Sequence, residues 1–124
     1  MIIAAEVVSV AESTIRRGII NERETVSLSH DGATGTAMLY KMNDVCIAMI
    51  IIIANFTANT EYTIGTVPTK YRPGTKTYQA YTSVASNSVT GYGRVSVTTG
   101  GSIQLVASTG GWQEVMATLV WTTN

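Results

Sequence analysis

One cysteine, one histidine and two prolines in 124 residues set the first limits. With Cys46 alone, no disulfide forms within the chain and no thiolate cluster is available to a metal; His30 adds a single further ligand, too few for zinc. Charge is scarce and balanced, with 8 basic and 8 acidic side chains. Beyond Arg16 and Arg17 no segment gathers Lys and Arg, which leaves no electrostatic footprint for nucleic acid or an anionic membrane. Long apolar runs are missing too. The run VCIAMIIIIA, Val45 to Ala54, falls far short of the ~20 residues of a spanning helix. The opening MIIAAEVVSVA has no basic region ahead of it and carries Glu6 inside, unlike a signal peptide. No cofactor is expected, and recognition has to work by shape, hydrogen bonds and aromatic surfaces.

What is present is alternation with a period of two. In RVSVTTGGSIQLVAS, Val95 and Val97 alternate with Arg94, Ser96 and Thr98; after Thr99-Gly100-Gly101, Ile103 and Leu105 alternate with Ser102 and Gln104. That pattern predicts a hairpin with its turn chemistry in place. A second hairpin is predicted across Asn43-Asp44, with Met38, Tyr40 and Met42 sharing one face of its first strand. WQEVMATLVW reads as the closing strand, with Val115, Ala117, Leu119 and Trp121 on one face. Further strands are expected around Val26 to Ser29, Tyr62 to Val67 and Thr77 to Val84. Many short strands without a long helical pattern predict an all-β domain, an antiparallel β-sandwich or a Greek-key or jelly-roll-like barrel. A chain of this length forms one domain and buries about two thirds of its unfolded surface. Residues 1–33 are expected to be an extended or irregular leader or connector, richer in charge than the rest, and 34–124 the β domain.

Both prolines fall within YTIGTVPTKYRPGTKTYQAYT. Proline donates nothing to a sheet ladder and fixes its own φ, so it belongs where strands end. Pro68 is expected to end one strand and Pro73-Gly74 to turn into the next, clamping a crossover between them.

The order LYKMNDVCIAMI, then YTIGTVPTKYRP, then GYGRVSVTTGGSIQLVAS, then a strand close to the C-terminus, resembles the C-terminal head domain of receptor-binding and tail-fibre proteins of long-tailed bacteriophages, including those that infect Gram-positive bacteria. The resemblance covers about residues 34 to 124. It implies a homotrimer of antiparallel β domains on the virion, at a distal tail appendage or the baseplate, beside other tail proteins and binding host cell-surface saccharide. Assembly without ligand binding and hydrolysis of the same polysaccharide are the competing functions. Trimeric jelly rolls of the tumour-necrosis-factor and complement type are the competing family; the sequon Asn55-Phe56-Thr57 would matter there, but their aromatic signatures are missing.

Enzyme chemistry finds little support. Ser29-His30-Asp31 are consecutive, and consecutive strand residues point to opposite faces, so they read as a turn rather than a triad. Cys46 sits among apolar neighbours, which raise a thiol pKa and leave it inert. No paired carboxylates stand in a short motif, and GYGRVS leads into a strand rather than a helix, unlike a phosphate loop. The chain is expected to be non-catalytic. For saccharide, the candidate residues are Trp112, Arg94, Tyr92, Tyr78, Gln79 and Tyr81, aromatic faces for sugar C-H groups with polar partners for hydroxyls. The plainer reading of each is a cap on the core or an interface. Finally, Val45 to Ile53 is apolar at odd and even positions alike. Something must cover its second face, either the N-terminal segment or a neighbouring subunit.

Overall fold

The computed structural model describes residues 22–85 and 88–123. They form eight strands: β1 (Glu22–His30), β2 (Ala33–Met42), β3 (Val45–Phe56), β4 (Glu61–Thr66), β5 (Thr77–Ala85), β6 (Ser88–Val97), β7 (Ser102–Ala107) and β8 (Gly111–Thr122). All pairings are antiparallel, in the order β1-β2-β3-β8-β5-β6-β7-β4. β5, β6 and β7 follow one another as hairpins and β4 returns beside β7, a Greek key. β8 joins this half to the β1-β2-β3 meander by pairing β3 along its whole length and β5 at Ser83 and Val84. The two ends of the order, β1 and β4, lie side by side, so the sheet curls into a nearly closed barrel.

The two predicted hairpins, β2–β3 and β6–β7, are in place, and β1 and β2 form a third. His30 pairs Ala33 across Asp31 and Gly32, whose φ angles of 49° and 81° are those of the type I′ turn that Asp-Gly favours. The β2–β3 turn puts Asn43 in the left-handed region at φ 54°. In the β6–β7 turn Gly101 has φ 91°, and a Cβ there would lie 2.6 Å from both the Val67 carbonyl and Arg72 Nε. Only glycine fits that turn.

β1 begins at Glu22 and joins the sheet, so residues 22–33, inside the expected leader, are a barrel strand, its turn and the first residue of β2. The rest of that leader, 1–21, lies outside the described residues.

Alternation decides the interior. On β3 the even positions, Cys46, Ala48, Ile50, Ile52, Ala54 and Phe56, point inward and are buried; the odd ones face out. Leu28, Leu39, Val95, Val97, Ile103, Leu105 and Leu119 complete the core with Trp121. At the β1–β4 seam Gly65 leaves the space that Leu28 fills. One end of the seam carries a ring cluster: His30 stacks on Phe56 at 4.7 Å between centroids, with Tyr62 4.2 Å from His30. The other end carries the Lys70–Glu22 ion pair, half exposed and worth little to stability.

The prolines act as the sequence suggests. Pro68 precedes a 3-10 turn at Thr69–Tyr71, and Pro73 forms an isolated bridge to Thr123 beside a Gly74 N-H bond to the Thr122 carbonyl at 3.0 Å. Between them Tyr71 is fully buried, and its carbonyl accepts the Trp121 indole N-H at 2.7 Å. The crossover from β4 to β5 thus caps the barrel end where the β2–β3 and β6–β7 turns also lie.

Candidate binding surface

The outer wall of β5 and β6 holds most of the candidate residues. Ladder pairing places Tyr78 opposite Ser96, Ala80 opposite Arg94 and Thr82 opposite Tyr92; of these six all but Ser96, which is 3 % exposed, present their side chains to solvent. Two cations flank the Tyr78 ring: Lys76 Nζ lies 5.1 Å and Arg94 Cζ 5.6 Å from its centroid. Such contacts favour a cation over an aromatic face by about 0.5–1 kcal/mol at exposed sites, enough to hold the ring without hiding it. Tyr78 and Tyr92 remain more than half exposed, and Arg94 is exposed between them in sequence and on the same face. The arrangement gives two aromatic surfaces with guanidinium donors beside them. An Arg fork of this kind suits paired oxygens of diols or anions.

Gln79 and Tyr81 have the opposite parity. Gln79 is exposed and its amide donates to the Ala80 carbonyl at 3.2 Å. Tyr81 points into the barrel with 5 % exposure, its hydroxyl lying against Gly93, where a Cβ would come within 2.5 Å of it. It lies three positions from Tyr78, an odd offset, so the two rings cannot share a face. Tyr81 is therefore no part of the outer surface.

Ser83 and Gln113 line the interior beyond Tyr81, and the Gln113 amide donates to the Thr109 carbonyl at 2.7 Å. Burial pushes the Tyr81 phenol from 10 to about 12. The folded state thus holds that proton more tightly than the unfolded chain. The stability linked to it is present below pH 10 and is lost as pH rises towards about 12. A phenolate absorbance titration is expected to show a late-ionising tyrosine that Tyr81→Phe removes. A titration in which Tyr81→Phe removes an ordinary step instead would contradict the burial. Burial likewise raises the Cys46 thiol, in keeping with an inert core cysteine.

Trp112 stands apart from the β5–β6 group. It is the second residue of β8, 62 % exposed, and pairs with Asn55 on β3 at the barrel end that carries the His30 ring cluster. Glu114 and Met116 follow it along the outer face of β8, and β5 lies between that face and Tyr92. The structure brings Tyr78, Arg94 and Tyr92 together and leaves Trp112 as a separate aromatic platform.

A second surface was only half visible in the sequence. The outward positions of β2, β3 and β8 carry Met38, Met49, Ile51, Ile53, Met116 and Val120, all exposed; Met38, Met49, Ile51 and Met116 line a groove of about 230 Å³. The odd positions of β3 signalled it; the contributions of β2 and β8 required the strand order.

No protein-family model matches the chain, and no curated protein matches it in sequence. Among solved structures, the crystal structure of the receptor binding protein (gp15) of Listeria phage PSA is similar, with a TM-score of 0.64 at 12 % sequence identity. The match covers 95 % of this chain and 74 % of that one. The likeness is one of fold.

Proposed function

We propose that the chain is the receptor-binding module of a bacteriophage tail, a non-catalytic adhesin that holds host cell-surface saccharide. The observation that carries this reading is the likeness in fold to a phage receptor binding protein over 95 % of the chain. The exposed Tyr78–Arg94–Tyr92 wall supplies suitable chemistry, and Trp112 a second platform. Sugar C-H groups pack on aromatic faces while a guanidinium donates to adjacent hydroxyls. The module acts as a homotrimer at a distal tail appendage or the baseplate, in contact with other tail proteins. Neither nucleic acid nor membrane insertion enters this reading.

Equilibrium binding of the purified chain to cell-wall polysaccharide from Gram-positive hosts tests it. Saturable binding is expected, with Tyr78→Ala and Arg94→Ala each weakening it about tenfold, or about 1.4 kcal/mol. These side chains are exposed and lie outside the core, so both variants should unfold at the wild-type midpoint. A folded chain that binds no polysaccharide would favour the second reading, a tail or baseplate assembly protein. That reading draws on the apolar outer face of β2, β3 and β8, which suits protein contact alone.

A further inference from the structure

Charge is sorted along the barrel. The end that holds the β1–β2 turn and the loop from β3 to β4 carries the carboxylates of Asp31, Glu61 and Glu114. Among the described residues no Lys or Arg accompanies them there. Arg23 and Lys41 stand at the other end of β1 and β2, Lys70, Arg72 and Lys76 belong to the crossover that caps that other end, and Arg94 lies on the outer wall of β6. Trp112 is thus an exposed indole beside carboxylates, whereas Tyr78 is an exposed phenol between two cations. The two aromatic platforms have surroundings of opposite sign. Asn55 stands directly across the β3–β8 ladder from Trp112, and Ile53 faces Glu114, all four at outward positions. Directly opposed residues bring their Cβ atoms to about 4.5–5.5 Å, and residues two apart on one face of a strand sit roughly 7 Å apart. Among the described residues neither the Glu114 carboxylate nor the Asn55 side-chain amide has a partner; at Asn55 only the backbone carbonyl is engaged, by the His30 ring.

We infer that Trp112, Glu114 and Asn55 form a cation subsite, which takes an ammonium group, primary or quaternary, carried by the host polymer. An indole attracts a cation held within ~6 Å of its ring centroid, more strongly than a phenol or phenyl ring does. A cation in that position lies within reach of the Glu114 carboxylate two residues along and of the Asn55 amide oxygen across the ladder. Ile53 beside Glu114 keeps the local surroundings partly apolar, so the attraction is screened less than on an open polar surface. Phosphate and carboxylate groups of a ligand are repelled at this end by the same side chains. The choice of a polymer as the bearer of the ammonium rests on the proposed function; the sign of the charge rests on these residues alone.

Tryptophan fluorescence of the full chain tests it, because Trp112 is 62 % exposed and Trp121, the other indole, 5 %. Choline is the probe, and 3,3-dimethylbutanol, which has its shape without its charge, is the control. Choline is expected to change the emission saturably, and the uncharged control to bind about tenfold more weakly. Trp112→Phe should remove the response and leave the Trp121 emission. Glu114→Gln, at the surface and outside the core, should unfold at the wild-type midpoint and weaken choline about fivefold. Equal responses to choline and the control, no response to either, or an unaltered affinity in Glu114→Gln would each overturn the inference. Host cell-wall polysaccharide is measured on the same samples before and after its amines are acetylated. Acetylation is expected to weaken binding to wild type and to erase the difference between wild type and Glu114→Gln. Binding that acetylation leaves unchanged would overturn the subsite while the adhesin reading stands on the Tyr78 wall. A selective choline response in a chain that binds no polysaccharide would remove the adhesin reading and uphold the cation subsite.

Discussion

Replacing Ile52 by aspartate is expected to leave no folded protein, while aspartate at the next position, Ile53, leaves the barrel intact. Ile52 is 1 % exposed and faces Gly35 of β2 and Val115 of β8 inside the barrel; Ile53 is 53 % exposed on the outer wall. Among the described residues the barrel interior around position 52 is apolar, so a carboxylate there would be buried unpaired, and the effective penalty for burying an unpaired charge is several kcal/mol. That is comparable with the whole stability of a domain, about 5–15 kcal/mol. Circular dichroism and soluble yield read the outcome directly. If Ile52→Asp folded normally and Ile53→Asp did not, the two faces of β3 would be assigned the wrong way round.

The second large effect belongs to Trp121→Ala. This side chain is 5 % exposed, closes the barrel end under the proline-bounded crossover and donates to the Tyr71 carbonyl. Truncation removes the largest ring at that end and leaves a buried carbonyl unpaired, so a loss of about 3–5 kcal/mol is expected. Trp121→Phe keeps most of the bulk and loses the hydrogen bond, for a smaller cost of about 1–3 kcal/mol. Urea unfolding separates the two: the midpoint should fall in that order with little change in slope. A loss below ~1 kcal/mol for Trp121→Ala would mean that the crossover holds its position without the indole.

The strands were legible because alternation and turn chemistry are local. Asp31-Gly32, Asn43-Asp44 and Thr99-Gly100-Gly101 each fall where a hairpin turns. Strand order was not legible, since period two says nothing about which strand lies alongside. The insertion of β8 between β3 and β5 is a long-range fact of the fold. The face of β3 that turns inward was hidden for a related reason: isoleucine occupies odd and even positions alike, and only the partners of the even set show which side is core. The prolines announced a crossover, but its lock is Trp121, fifty residues from Tyr71 in sequence.

The candidate surface divides in the same way. Tyr78, Tyr92 and Arg94 share a wall because β5 and β6 are hairpin partners, a pairing suggested by their proximity in sequence. Tyr81 was counted with that surface, but it lies on the opposite face of β5 from Tyr78; Gln79 shares its parity and stays exposed, so only the packing of the fold shows that Tyr81 is core. Trp112 stands on the face of the closing strand opposite Val115, Leu119 and Trp121 and is exposed, but its distance from Tyr78 depended on the strand order.

The measurement that bears most directly on the adhesin reading is equilibrium binding of the intact chain to purified host cell-wall polysaccharide, with Tyr78→Ala, Arg94→Ala and Trp112→Ala measured alongside. The account predicts saturable binding by wild type, weakened by the first two substitutions without loss of folding, and by the third if the saccharide spans both platforms. A folded wild-type chain that binds no polysaccharide, or one whose affinity none of the three substitutions alters, would contradict it.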